Sequence, residues 1–214
     1  MPAITMDPLD LAAVLCSRIC HDVINPVGAI QNGLELMAEE KDSGLRDDAL
    51  DLIGKSAASA SAKLKFARIA YGASGSAGAS LDMGDAHSAA VDLIVDNRTT
   101  LDWKAPRVLL PKNKVKLLLN LLILAAQSIP RGGSIEVIGE IEGETCRYAI
   151  RAKGPYARVP AHTAELLAGE SETGTVDAEG VRAYYAGLVA RACGMSASIE
   201  LIDDAVTVLS APLA

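Results

Sequence analysis

The run Cys20-His21-Asp22-Val23-Ile24-Asn25-Pro26-Val27-Gly28-Ala29-Ile30 governs the reading of this chain. An α-helix advances about 100° per residue, so apolar residues three and four apart gather on one face. Leu15, Ile19, Val23, Val27, Ile30 and Leu34 form such a stripe, and His21 points almost directly away from it. A histidine on a helix is most often a bystander or the satisfied partner of a carboxylate. This one is presented to solvent, with Asp22 beside it and Asn25-Pro26 one turn on. Among the chemistries open to an exposed imidazole, nucleophilic capture of a phosphoryl group suits that setting best.

Outward from His21, the periodic pattern predicts one long helix from Asp10 to Met37. Asp7-Pro8 fits its start, since proline is tolerated in a first turn. Pro26 inside it should remove one backbone hydrogen bond and bend the helix slightly. Lys41-Asp42-Ser43-Gly44 reads as a polar turn, and a second helix follows to Tyr71. In it Leu50, Ile53, Ala57, Ala60, Leu64, Ala67 and Tyr71 alternate spacings of three and four, a heptad seam that wants a partner along its length. Two antiparallel helices cannot bury both stripes alone. The expectation is a homodimer through residues 8–72, its two hairpins making an intermolecular four-helix bundle. The alternative is a monomer whose hairpin packs on its own second domain.

Gly72-Ala73-Ser74-Gly75-Ser76-Ala77-Gly78 is small and polar, which marks a linker. The expected domains are therefore a helical hairpin over 1–72, a flexible linker over 73–80 and a second domain over 81–214. Beyond the linker, the patterns predict a helix over Asp82–Asp96, strands at Thr100–Trp103 and Arg107–Leu110, and an apolar helix over Asn113–Ile129. Strands follow at Ser134–Glu142 and Thr145–Lys153 about a turn at Gly143, then helices over Ala161–Gly169 and Glu179–Cys193. A hairpin of Ala197–Ile202 and Ala205–Ser210 closes the chain. This order predicts an α/β sandwich, with helices on one face of a mixed sheet.

Composition narrows the chemistry. Half of the 214 residues are hydrophobic but only 3% are aromatic, so Leu, Ile, Val and Ala must build the cores. The net charge of -7 argues against a general nucleic-acid binder or a binder of acidic membranes. No stretch has the length and apolarity of a membrane span, and Asp7 and Asp10 stand where a secretory leader would be basic; a cytoplasmic location is expected. Cys16, Cys20, Cys146 and Cys193 lack the paired spacing of a zinc site, and no metal is expected. His87 and His162 lack the context of His21. Trp103 and the Tyr184-Tyr185 pair read as packing residues.

The segment His21-Asp22-Val23-Ile24-Asn25-Pro26 resembles the dimerisation and phosphoacceptor helix of sensor histidine kinases: a histidine, an acidic residue, two variable positions, a polar residue and proline. Residues 115–137 resemble the helix-to-strand passage of the kinase ATP-binding (Bergerat) domain, through Asn120-Leu121-Leu122, Ala125, Pro130, Gly132-Gly133 and Ile135-Glu136-Val137. The departures are as telling. Leu124 stands where a second asparagine would help hold magnesium, which demands oxygen ligands. Ala152 and Tyr156 replace the carboxylate and second glycine of the adenine-binding box. Glu179-Gly180-Val181-Arg182-Ala183-Tyr184 lacks the glycines that bring backbone N–H groups to phosphate.

A histidine helix joined to such a domain resembles the dimeric ChpT-type histidine phosphotransferases of two-component phosphorelays, which look like a kinase core that has lost ATP binding. The resemblance implies that His21 accepts a phosphoryl group from the phospho-aspartate of a hybrid kinase's receiver domain and passes it to response regulators that control the cell cycle. It implies no cofactor of the chain's own, with Mg2+ expected on the partner receiver. Asp22 could orient the imidazole or act as base, or could be a solvated carboxylate. Arg18, Asn25, Gly28 and Asn32 share the His21 face by helical arithmetic and are the expected receiver-docking residues. A non-catalytic scaffold that binds response regulators and a divergent active kinase remain as alternatives at this point.

Overall fold

The computed structural model describes residues 3–39, 42–72, 79–143 and 145–213. Two long helices, α1 (Pro8–Glu39) and α2 (Ser43–Ala70), form an antiparallel hairpin. The Asp7 carboxylate accepts from Leu9 N–H at 2.8 Å and caps α1, and Asp42 does the same for α2 through Gly44 and Leu45. At the crossing, Pro26 and Gly33 are the buried residues of α1. A Cβ on Gly33 would lie 2.6 Å from Ile53 Cγ1 and 3.3 Å from the Ala49 carbonyl, so glycine lets the two backbones approach.

The expected stripes are present, but each is divided. On α1, Ile19, Val23 and Ile30 are partly covered, whereas Val27 and Leu34 remain 50% and 55% exposed. On α2, Ala60 is buried while Leu50 and Leu64 remain 51% and 52% exposed. Each seam thus points between the partner helix and open solvent.

The second unit consists of β1 (Ser80–Asp82), α3 (Met83–Ile94), β2 (Thr99–Lys104), β3 (Leu109–Pro111), α4 (Lys112–Gln127), β4 (Gly133–Glu142) and β5 (Thr145–Lys153). α5 (Thr163–Ala168), α6 (Val181–Ala192), β6 (Met195–Ile202) and β7 (Ala205–Pro212) complete it. The main sheet runs β2-β4-β5-β7-β6, with β2 parallel to β4 and the other neighbours antiparallel. Alternation decides its faces. Ile135 and Val137 pair across the ladder with Ala152 and Ile150, and all four are buried against the helices. Arg147, Arg151 and Lys153 on β5 face solvent. α4 runs through the centre, with Val115 to Ala125 buried on every side, and helices on one face of a mixed sheet are as expected.

Three boundaries differ from the sequence reading. β1 pairs antiparallel with β3 and was not anticipated, because three residues beside a Gly-Ser run carry no periodic signal. It takes Ser80 out of the expected linker, of which residues 73–78 lie outside the described residues. The N-terminal residues 3–6 belong with the sandwich, not the hairpin: Ile4 N–H donates to the Gly169 carbonyl at 2.9 Å and Met6 N–H to the Tyr184 hydroxyl at 3.2 Å. The hairpin also enters the second domain's core through Phe66 and Ala70. Replacing Gly33 by Val should destabilise the hairpin by about 1–3 kcal/mol through overpacking against Ile53, read as a lower midpoint of thermal unfolding.

Candidate functional site

α1 carries His21 on a face that nothing among the described residues covers. His21, Asn25 and Asn32 are exposed, and a Cβ on Gly28 would meet no atom within 4 Å. The surface around the imidazole is therefore open, with small and polar residues on one side of it and the exposed Ile24 on the other. Of the expected docking residues, the structure brings Asn25, Gly28 and Asn32 to this face.

It does not bring Arg18 there, and Asp22 faces elsewhere too. Four residues apart on α1, they turn together toward the sandwich. Arg18 Nε lies 3.3 Å from Asp22 Oδ1, and Arg182 on α6 bonds the other carboxylate oxygen through Nη2. All three side chains are less than a quarter exposed. The sequence reading offered Asp22 as imidazole orienter, base or solvated carboxylate; among the described contacts its carboxylate is partnered by the two arginines. Tyr71, at the end of α2, adjoins the Arg182 guanidinium; burial pushes its phenol above the usual range, and the arginine offsets part of that.

The backbone of Asp22 is held as firmly. Its carbonyl would normally accept from the N–H of residue 26, but Pro26 has none. Lys63 on α2 supplies the missing donor, its Nζ 3.0 Å from the Asp22 oxygen. Sequence reasoning found the proline and its lost bond. It missed Lys63, Tyr71 and Arg182, although a freed carbonyl one residue from the key histidine was itself a signal that some donor must come from outside.

The region where the kinases would hold nucleotide is an open cavity of about 540 Å³ between α4 and the α5–α6 segment. Its residues do not fit ATP. Buried Leu124 forms part of the wall, and Glu165, Glu172, Asp177 and Glu179 surround the opening with Arg18 as the only fixed cation among the lining residues. The N–H groups before α6 are already occupied, since Glu179 and Gly180 both donate to Asp177 Oδ1, at 3.1 and 2.8 Å. Asn120 is buried and donates to the carbonyls of Lys116 and Ala70, which ties α4 to the end of α2. Ala152 is fully buried in the sheet. Tyr156 has φ 61° and lies beneath the Arg131 guanidinium, 4.1 Å from its ring centre.

The profile of the histidine phosphotransferase C-terminal domain matches residues 83–205. The protein phosphotransferase ChpT of Brucella abortus is 50% identical over 197 residues, which is 92% of this chain and 93% of its own. The chain belongs to the histidine phosphotransferase family. A bacterial phosphotransferase of known structure, 44% identical, superposes over 98% of this chain and 100% of its own with a TM-score of 0.89. The histidine kinase AdeS of Acinetobacter baumannii aligns over 90% of this chain and 97% of its own, at a TM-score of 0.44 and 11% identity. As a family member the chain works by phosphoryl transfer.

For a phosphotransferase, the glycine left from the adenine-binding box has a packing role. A Cβ on Gly154 would stand 2.2 Å from the Gly132 carbonyl oxygen, a backbone atom with no room to yield. Gly154→Ala should therefore destabilise the fold by about 1–3 kcal/mol, measured by urea unfolding. Other histidines are accounted for locally: His87 stacks on Trp103 with centroids 5.0 Å apart, and His162 Nδ1 lies 3.0 Å from Glu165.

Proposed function

We propose that His21 is the phosphoacceptor of a phosphorelay and that the protein carries a phosphoryl group from the phospho-aspartate of a hybrid kinase's receiver domain to aspartates of response regulators. The observation that carries this is the open, polar face around His21, set on the side of α1 away from both α2 and the sandwich. The step balances simply. A ring nitrogen's lone pair forms the N–P bond as the bond from phosphorus to the aspartyl oxygen breaks, and the aspartate leaves as carboxylate. The proton on the other ring nitrogen passes to solvent, which an exposed imidazole can reach. Transfer to the second receiver reverses these events.

In this reading Mg2+ and the acidic pocket belong to the receiver. What the chain contributes is position: one nitrogen on a long, capped helix, held in line with the acyl phosphate. No step runs through ATP, as the acidic cavity with its occupied helix terminus repels a polyphosphate. No helix among the described residues is long and apolar enough to cross a membrane, and the proposed site of action is the cytoplasm, where receivers are found. Mixing with a pre-phosphorylated receiver should place acid-labile phosphate on the wild-type chain and none on His21→Ala. Labelled ATP alone should label neither. Transfer that survives His21→Ala would refute the reading.

The proposed working form is a homodimer, its bundle closed by Val27, Leu34, Leu50 and Leu64, which the single chain leaves half exposed. Sedimentation equilibrium should give twice the 22.2 kDa chain mass, and Leu50→Glu with Leu64→Glu should return it to a single chain, because two charges would enter an apolar seam.

A further inference from the structure

We propose that Arg182 is a positioning residue for phosphotransfer: with Arg18 it latches the Asp22 carboxylate and so fixes the sandwich beside the phosphoacceptor helix, as one rigid platform for a docking receiver. The proposal rests on His21 being the phosphoacceptor.

Besides the buried Phe66 and Ala70, the exposed Lys65–Asp92 pair and the Tyr71–Tyr185 ring contact, three further ties hold the two units together. The Arg182–Asp22 pair joins α6 to α1. Asn120 Nδ2 reaches the Ala70 carbonyl at 3.2 Å and joins α4 to α2. The strap at residues 4–6 joins the start of α1 to the Gly169 carbonyl and the Tyr184 hydroxyl, which in turn donates to the Ile4 carbonyl at 3.3 Å. Only the first acts within one residue of His21.

Several charges converge on that tie. A single carboxylate faces two guanidiniums, with the Lys63 ammonium on its own carbonyl and the Tyr71 hydroxyl alongside. The Nε atoms of Arg18 and Arg182 are buried without a hydrogen-bond partner among the described residues. A cavity of about 310 Å³ opens beside the pair, with Ile19, Val23, Phe66, Leu93 and Ile123 among its walls, so the surroundings are apolar and screening is weak. Without Asp22, three cations would be left facing one another. Without Arg182, α6 would lose its only charged hold on α1 among the described ion pairs.

The latch also separates two roles for Asp22. Bound to arginine, it acts on the orientation of the sandwich; acting directly on the imidazole, it would serve the chemistry at His21. The full chain distinguishes them by two readouts: transfer from a pre-phosphorylated receiver, and direct labelling of His21 by phosphoramidate, which needs no docking. Arg182→Ala and Asp22→Asn should each raise KM for the receiver on the order of ten-fold, with the maximal rate within about two-fold of wild type. The double variant should be no worse than the poorer single variant, because both remove one interaction. Phosphoramidate labelling should stay within about two-fold of wild type, showing that His21 and the fold are intact.

If Asp22→Asn lowers both transfer and phosphoramidate labelling while Arg182→Ala leaves both unchanged, Asp22 serves the imidazole and the latch is wrong. Single effects that multiply in the double variant, or receiver KM values unchanged in both, also overturn it. Should Arg182→Ala fail to fold, Arg182→Gln poses the same question with the stem kept. A wild-type chain that accepts no receiver phosphate would instead defeat the proposed function itself, a result separable from wild-type transfer with silent variants.

Discussion

One helix presents four faces around its circumference, two of them packed against α2 and the sandwich, and the 100° step decides which residue lies on which. On α1, Pro26 and Gly33 meet α2, and Arg18 and Asp22 meet the sandwich. Val27 and Leu34 are left on an apolar flank, and His21, Gly28 and Asn32 on a polar one. Consecutive residues His21 and Asp22 therefore belong to different faces. The histidine is free because its acidic neighbour is anchored, and a shift in register would exchange their surroundings.

Proline contributes to that anchoring by what it lacks. Inside a helix it leaves the carbonyl four residues earlier without a donor, ordinarily a cost of several kcal/mol. Here the orphan is the Asp22 carbonyl, and Lys63 reaches across the hairpin to satisfy it. The lost intrahelical bond becomes an interhelical one, and α2 is pinned to α1 next to His21. The carboxylate of the same residue is pinned from the other side by Arg182. A single residue thus fixes both the hairpin and the sandwich relative to His21.

Much of this was legible in the sequence where a pattern repeats. The two long helices, the buried α4 and the β4–β5 pair are set by periodicities of 3.6 and 2 over many residues, and their positions follow the expectation closely. The exposed face of His21 follows from the same arithmetic. What periodicity could not supply is any contact between distant segments. Asp22 and Arg182 are 160 positions apart, and nothing in either neighbourhood marks the other. Arg18 was placed with His21 because the two are three residues apart, yet its long side chain swings toward the carboxylate one turn on. The strap at residues 4–6 was assigned to the hairpin by chain order, whereas hydrogen bonding assigns it to the sandwich.

The nucleotide-binding departures show how a fold can keep its frame while its chemistry is replaced. Asn120, which carries part of the kinase resemblance, ties α4 to the end of α2. Asp177 occupies N–H groups that would otherwise be open to phosphate, and four carboxylates line a cavity that a triphosphate would have to enter. Gly154 remains because Gly132 packs against it. A kinase's ATP-binding unit must move to bring its nucleotide to the histidine. A phosphotransferase receives its phosphoryl group from outside and has no such need for motion.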